Sequence, residues 1–253
     1  MKSRIQNVFA DREEIPLYYI ESGSRLWGMA SPDSDYDIRG IHLLSKRQYF
    51  DFQKQNDIID ITKGDFDFVS FELDKAFGLL AKSNPNMLEW IRADTVYLNR
   101  FPDWEKARGR ILDNIEYKAL FHAYLSMAKN NIELLKKGKK FTYKTVLYSI
   151  RGLLSAELAS KHQLPELSYD KLLDQFSPMN SLISIAKQSL SKKQSKEENE
   201  KMPPDRRSKI LEKLNHYKKH LEDIDMPTSN NKLRLKRTLK EFSYNIKCEW
   251  YVN

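Results

Sequence analysis

Cysteine is nearly missing from this 253-residue chain, and the single one, Cys248, excludes an internal disulfide framework and any cysteine-based zinc cluster. Histidine is scarce and scattered, at positions 42, 122, 162, 216 and 220. His216 and His220 have helical i, i+4 spacing, but no acid or third ligand completes a zinc motif there, so they read as an exposed helix face. No apolar run approaches the roughly 20 residues of a membrane span. The opening Met1-Lys2-Ser3-Arg4-Ile5-Gln6 is not followed by the apolar core of a signal peptide, so no membrane association and a cytoplasmic location are expected.

What is present is positive charge and ample core. The formal net charge is +8, which suits a polyanionic partner. Hydrophobic residues make up 40% and aromatics 11%, enough for one large domain or two small ones.

One stretch organises the rest: Gly23-Ser24-Arg25-Leu26-Trp27-Gly28-Met29-Ala30-Ser31-Pro32-Asp33-Ser34-Asp35-Tyr36-Asp37-Ile38-Arg39-Gly40-Ile41. Apolar residues precede it at Leu17 to Ile20 and follow it at Ile41, Leu43 and Leu44, which predicts two strands with a loop or helical turn between them. Asp35 and Asp37, two apart on the second strand, then point the same way. Two acids on one side repel unless a positive charge sits between them, and a hard cation such as Mg²⁺ fits. A Gly23-Ser24 turn opening a helix presents backbone N–H groups to a phosphate. Pro32-Asp33-Ser34 reads as a turn, with Asp33 a turn former. Arg39 shares the face of Asp37 on a regular strand, where it holds the carboxylates ionised or touches a phosphate. Arg25 either reaches nucleotide phosphates or pairs with Glu21.

Gly23-Ser24 followed by Asp35-Tyr36-Asp37 resembles the signature of the polymerase-β-like nucleotidyltransferase superfamily. The fuller run through Asp37-Ile38-Arg39-Gly40 is similar to the branch containing the bacterial YcgL proteins and the RNA-ligase-associated nucleotidyltransferases. Ser83-Asn84-Pro85-Asn86 resembles that branch's Gly-Asn-Pro-Asn segment, with Ser83 departing at the first position. The resemblance covers residues 15–92 well and extends weakly to about 175. It implies an α+β fold: an N-terminal nucleotidyltransferase domain (mixed sheet with helices) at 1–100, then an all-helical domain at 101–253. It also implies a third carboxylate on a neighbouring strand. Ile58, Ile59 and Ile61 precede Lys63-Gly64 and Asp65 to Val69 alternate after it; the resembled pattern, with a helix beginning a few residues later at Glu72, makes Asp67 the choice, and Asp65, on the same side, the reserve. An arginine in the helix predicted over 142–161 faces the cleft in the resembled branch. That makes Arg151 a nucleotide or acceptor contact, the alternative being a surface salt bridge.

Further helices are predicted over 72–81, 86–91, 115–137, 205–221 and 231–248, with Asn114 as an N-cap and Gly138 among lysines 136, 137, 139 and 140 at a C-terminus. Two shorter helices fall within 168–190, and 191–205 reads as a linker or mobile loop. Lys232, Arg234, Lys236, Arg237 and Lys240 form a basic helical run that is either a phosphate-binding face or a solvated one.

The reaction expected is transfer of a nucleoside monophosphate from an NTP to an acceptor hydroxyl, the end of an RNA such as a tRNA. Two Mg²⁺ ions, or Mn²⁺, would be bridged by Asp35 and Asp37. Asp67 would hold the first ion and steer deprotonation, and Gly23 and Ser24 would hold the β- and γ-phosphates. The alternatives are nucleotidylylation of a protein or small molecule, and a noncatalytic RNA-binding module.

Overall fold

The computed structural model describes residues 1–138, 141–195 and 201–252. The chain runs through α1 (Lys2–Val8), β1 (Ile15–Glu21), the single turn α2 (Gly23–Leu26), β2 (Tyr36–Leu43), α3 (Lys46–Tyr49), β3 (Ile58–Lys63), β4 (Phe66–Glu72), α4 (Leu73–Leu80), α5 (Pro85–Arg92) and β5 (Val96–Asn99). Helices follow: α6 (Trp104–Leu112), α7 (Tyr117–Lys136), α8 (Tyr143–Ser160), α9 (Tyr169–Asp174), α10 (Ile183–Gln194), α11 (Pro204–Glu222) and α12 (Asn231–Tyr251).

The five strands form one sheet in the order β3-β4-β2-β1-β5. β2 and β4 run parallel and the other neighbours antiparallel, which is the mixed sheet of an α+β fold. The hairpin of β3 and β4 sets this up: β3 takes the edge, so β4 returns alongside β2 in the same direction. On β4, Phe66, Phe68, Ser70 and Glu72 are buried while Asp67, Val69 and Phe71 are more open, the alternation of a strand with one packed face.

Against that packed face α1 brings Ile5 and Phe9 onto Tyr19, Ile38 and Phe68. Tyr19 stacks on Phe68 at 5.4 Å, and its hydroxyl meets Ser70 Oγ at 2.7 Å. Burying each such ring contributes on the order of 2 kcal/mol. Tyr19 lies across its strand partner Gly40, where a Cβ would fall 2.1 Å from Tyr19 Cδ1 and 2.4 Å from the Tyr18 carbonyl oxygen. Tyr18 faces the other way, onto Phe101 and Trp104, and α12 adds Phe242 to that cluster.

Several local expectations meet a different structure. β5 has no counterpart in the sequence reading: Val96 to Asn99 is a short, half-open edge strand whose pairing with β1 creates it. Asn114 does not cap α7; its side-chain amide donates to the Arg110 carbonyl and closes α6. Ser83 has φ +53°, the left-handed region that favours the glycine of the resembled segment, and its hydroxyl accepts the Glu116 N–H. Of the expected loop at 191–205, residues 191–194 continue α10, Lys201 bridges to Thr142 and Pro204 opens α11; residues 196–200 lie outside the described residues. Lys139 and Lys140 lie outside them too.

Two compact units emerge. One comprises Met1–Leu26, Asp35–Glu116 and Ser229–Asn253; the other Trp27–Ser34 and Tyr117–Thr228. This divides the chain differently from 1–100 and 101–253. Helices α6 and α12 group with the sheet, where Phe242 stacks on Phe77 and meets Trp104. Residues 27–34 group with the helices: buried Lys193 donates to the Met29 carbonyl at 2.7 Å, Gln194 to that of Gly28, and the Tyr169 N–H to that of Trp27. Among the described residues no helix is long and apolar enough to cross a membrane.

Candidate functional site

Parallel pairing makes Asp37 of β2 and Asp67 of β4 direct strand partners. Arg39, two residues past Asp37, turns its guanidinium back between them. Its Nη2 reaches Asp37 Oδ1 at 2.9 Å and Asp67 Oδ2 at 3.0 Å. Its Nη1 adds Asp67 Oδ1 at 3.1 Å and the Asp67 carbonyl at 2.8 Å. All three side chains are partly open to solvent, at 18% for Arg39, 24% for Asp37 and 33% for Asp67.

Gly23 stands immediately behind Asp37. Its φ is +60°, and a Cβ there would lie 1.9 Å from Asp37 Oδ2. The glycine thus provides both the left-handed turn out of β1 and the space the carboxylate occupies. Ser24 follows on α2 and is buried. Arg25 donates from Nε to the Asp35 carbonyl at 3.2 Å and lays its guanidinium over the Tyr36 ring at 3.9 Å. Its charge is also felt by Glu21.

Asp35 differs from the strand reading. β2 begins at Tyr36, so Asp35 lies just before the regular alternation, and it is exposed. Asp65 pairs with Arg4 at 2.9 Å, and that bond holds its carboxyl below the usual range. Arg151 belongs to the helical unit, buried on α8. It donates to the Leu167 carbonyl at 3.0 Å and lies over the Trp27 ring at 4.7 Å, so it is not a surface side chain.

Glu21, legible in the sequence only as a partner for Arg25, stands at the site, within reach of the Asp37 charge. It ends β1 and is buried, with Oε2 accepting the Tyr97 hydroxyl at 2.6 Å and Oε1 lacking a hydrogen bond. Burial pushes its carboxyl above the usual range, the Tyr97 bond and Arg25 oppose that, and the Asp37 charge adds to it. An acid closing an otherwise apolar strand next to Gly23 is the signal that marks it.

The donor set can be tested for a divalent cation. Asp37 and Asp67 already share one positive group, and a pair of carboxylates is the kind of donor set a hard cation takes. That position holds the Arg39 guanidinium. Among the described residues no group of three or more His, Cys, Asp or Glu side chains is placed to hold a metal. The space between the two carboxylates is taken by the Arg39 guanidinium.

Comparison with known proteins places the chain. Residues 1–241 match the RlaP family, described as the RNA repair pathway DNA polymerase beta family. The chain belongs to that family. Within it, the sheet unit carries the Gly-Ser turn and the Asp37–Asp67 pair. The chain is 34% identical over 161 residues to the Bacillus subtilis protein YcgL, covering 63% of this chain and 62% of that one. It is 35% identical over 144 residues to the Methanocaldococcus jannaschii protein MJ0002, covering 55% and 58%. The matches thus span about six tenths of these relatives' length. Among solved structures, a nucleotidyltransferase-like protein from Exiguobacterium sibiricum covers 97% of this chain and 88% of its own, at 10% identity and a TM-score of 0.31.

Proposed function

We propose that this chain transfers a nucleoside monophosphate from an NTP to the terminal hydroxyl of an RNA. The observation that carries the reading is the meeting of Asp37 and Asp67 on parallel neighbouring strands, backed by Gly23. Polymerase-β-type chemistry requires carboxylates that gather on one sheet face beside a phosphate-binding turn, and the family's description supplies the RNA context.

Each residue has a role in this reading. The Gly23-Ser24 turn holds the β- and γ-phosphates, with Arg25 flanking them. Asp37 and Asp67 would hold a divalent cation, Mg²⁺ first and Mn²⁺ second, while Asp35, exposed just before β2, is not grouped with them among the described residues. Bound there, such ions make the attacking hydroxyl more acidic and neutralise the leaving pyrophosphate. Asp67 orients the acceptor hydroxyl and takes its proton. Arg39 bridges the two carboxylates until substrate arrives, then turns to a phosphate. Arg151 packs Trp27 and so holds the 27–34 loop. The setting of the reaction is the cytoplasm.

The test is incubation with α-phosphate-labelled NTPs and RNA, protein or no acceptor. Label on RNA, lost in Asp37→Ala and in Asp67→Ala with the melting temperature retained, is the expected result. Label on protein alone, or undiminished transfer in Asp37→Ala with Mg²⁺, would overturn it.

A further inference from the structure

A groove of about 770 Å³ opens in the helical unit between α10 and α11. Lys187 and Lys192 line it from α10, and Arg206, Lys209 and Lys213 from α11, against one carboxylate among the described residues, Asp205. Four of the five cations are exposed and Lys213 is half-buried. Among the described residues none of the five forms an ion pair, although cations elsewhere on these helices do, as Lys218 does with Glu222. The groove contains none of the residues placed at the Asp37–Asp67 pair.

Its shape selects among polyanions. Met202, Ile210 and Tyr143 line the apolar interior and are only 2%, 7% and 7% exposed, too recessed for a flat lipid surface to reach. Ser184, Gln188 and Ser191 add hydrogen-bonding groups among the cations. On α11 the cations recur at i, i+3 and i+7, one helix face, spanning about 10 Å at ~1.5 Å per residue. That length matches about two to three phosphates of a nucleic acid strand. Point-charge lysines suit phosphates, while an apolar interior with amide and hydroxyl groups suits sugars and bases.

We propose that the α10–α11 groove binds the phosphodiester backbone of a single-stranded RNA segment. The inference rests on the RNA acceptor proposed above and locates where that acceptor is held. It is separate from the basic run on α12.

The experiment is fluorescence anisotropy of the full chain with a labelled single-stranded RNA of about 12 nucleotides, titrated at several salt concentrations. The triple variant Arg206→Gln/Lys209→Gln/Lys213→Gln should bind on the order of tenfold more weakly. Its log–log salt slope should be shallower by about two, at ~0.7 for each phosphate that the variant no longer neutralises. A Lys232→Gln/Arg234→Gln/Lys236→Gln variant removes the same charge from α12 and should weaken binding much less. Equal weakening in both triples, an unchanged slope in the first, or competition by polyglutamate as strong as by unlabelled RNA would each overturn the inference. Should the groove triple fail to give a cooperative melt, Lys209→Glu is read in its place, with weaker RNA binding expected and unchanged binding overturning the inference. The two proposals fail separately. Salt-sensitive RNA binding that disappears with the groove cations, but no label on RNA, leaves the groove and removes the reaction. Transfer to RNA with unaltered binding in the groove variants does the reverse.

Discussion

Arg39 Nη2 lies 2.9 Å from Asp37 Oδ1, a carboxylate two residues earlier on its own strand. Same-face neighbours on a strand meet this way when the longer side chain folds back, and here the fold-back carries the guanidinium on to Asp67. One cation thereby neutralises acids from two strands.

Arg39→Gln should therefore leave two carboxylates facing each other without a counter-charge. Because all three groups are partly solvated, the destabilisation is about 1 kcal/mol rather than the several expected of a buried pair. The variant's melting temperature should rise more than the native protein's on adding MgCl₂, because an ion that binds only the folded state stabilises it by mass action. Thermal melts with and without Mg²⁺ check this. An identical Mg²⁺ response in both proteins would show that Arg39 and the metal do not compete.

Gly23→Ala and Gly64→Ala form a matched pair. Both glycines have φ near +60°, at +60° and +61°. Either substitution costs about 1–2 kcal/mol of left-handed strain. At Gly64 the new methyl group meets nothing within 4 Å, so nucleotidyl transfer should survive. At Gly23 it overlaps Asp37 Oδ2, and displacing that carboxylate should cost on the order of 10²-fold in rate. Equal rates in the two variants would separate Gly23 from the chemistry.

His42 and Glu72 give stability opposing pH dependences. His42 is fully buried, its Nδ1 against Ser70 Oγ at 2.8 Å, and burial lowers its pKa to about 4. Its folded pKa lies below the unfolded 6.5, so its contribution is complete above pH 6.5 and is lost toward pH 4, by about 3 kcal/mol. Glu72 caps α4 by accepting the Asp74 N–H, and burial raises its carboxyl to about 7. Its folded pKa lies above the unfolded 4.5, so its contribution is complete below pH 4.5 and is lost as pH rises through 7. Urea denaturation across this range should show a weaker acid-side fall in His42→Gln and a weaker alkaline-side fall in Glu72→Gln. A pH profile unchanged by either substitution would refute the corresponding assignment.

Periodicity makes much of the fold legible. The alternation at 65–69 predicts β4's packed and open faces, and the Leu73, Ala76, Phe77, Leu80 stripe predicts α4. Asn84 before Pro85 and Thr142 before Tyr143 both cap helices through their side chains. At the candidate site, the Gly23-Ser24 turn and the acids at 35 and 37 are read from spacing, while Asp67 comes through resemblance. No local pattern announces that β4 runs parallel to β2, and that direction is what makes Asp37 and Asp67 partners.

The sequence by itself determined most element types (β5 excepted), the charge and the family signature, because each depends on residues close together in the chain. Tertiary structure alone decided that Arg39 bridges two strands, that Glu21 is buried against Tyr97, that α12 rejoins the sheet and that residues 27–34 belong to the helical unit. These are contacts between segments distant in sequence. Their energy comes from register, shared burial and desolvation, which exist only once the elements have packed.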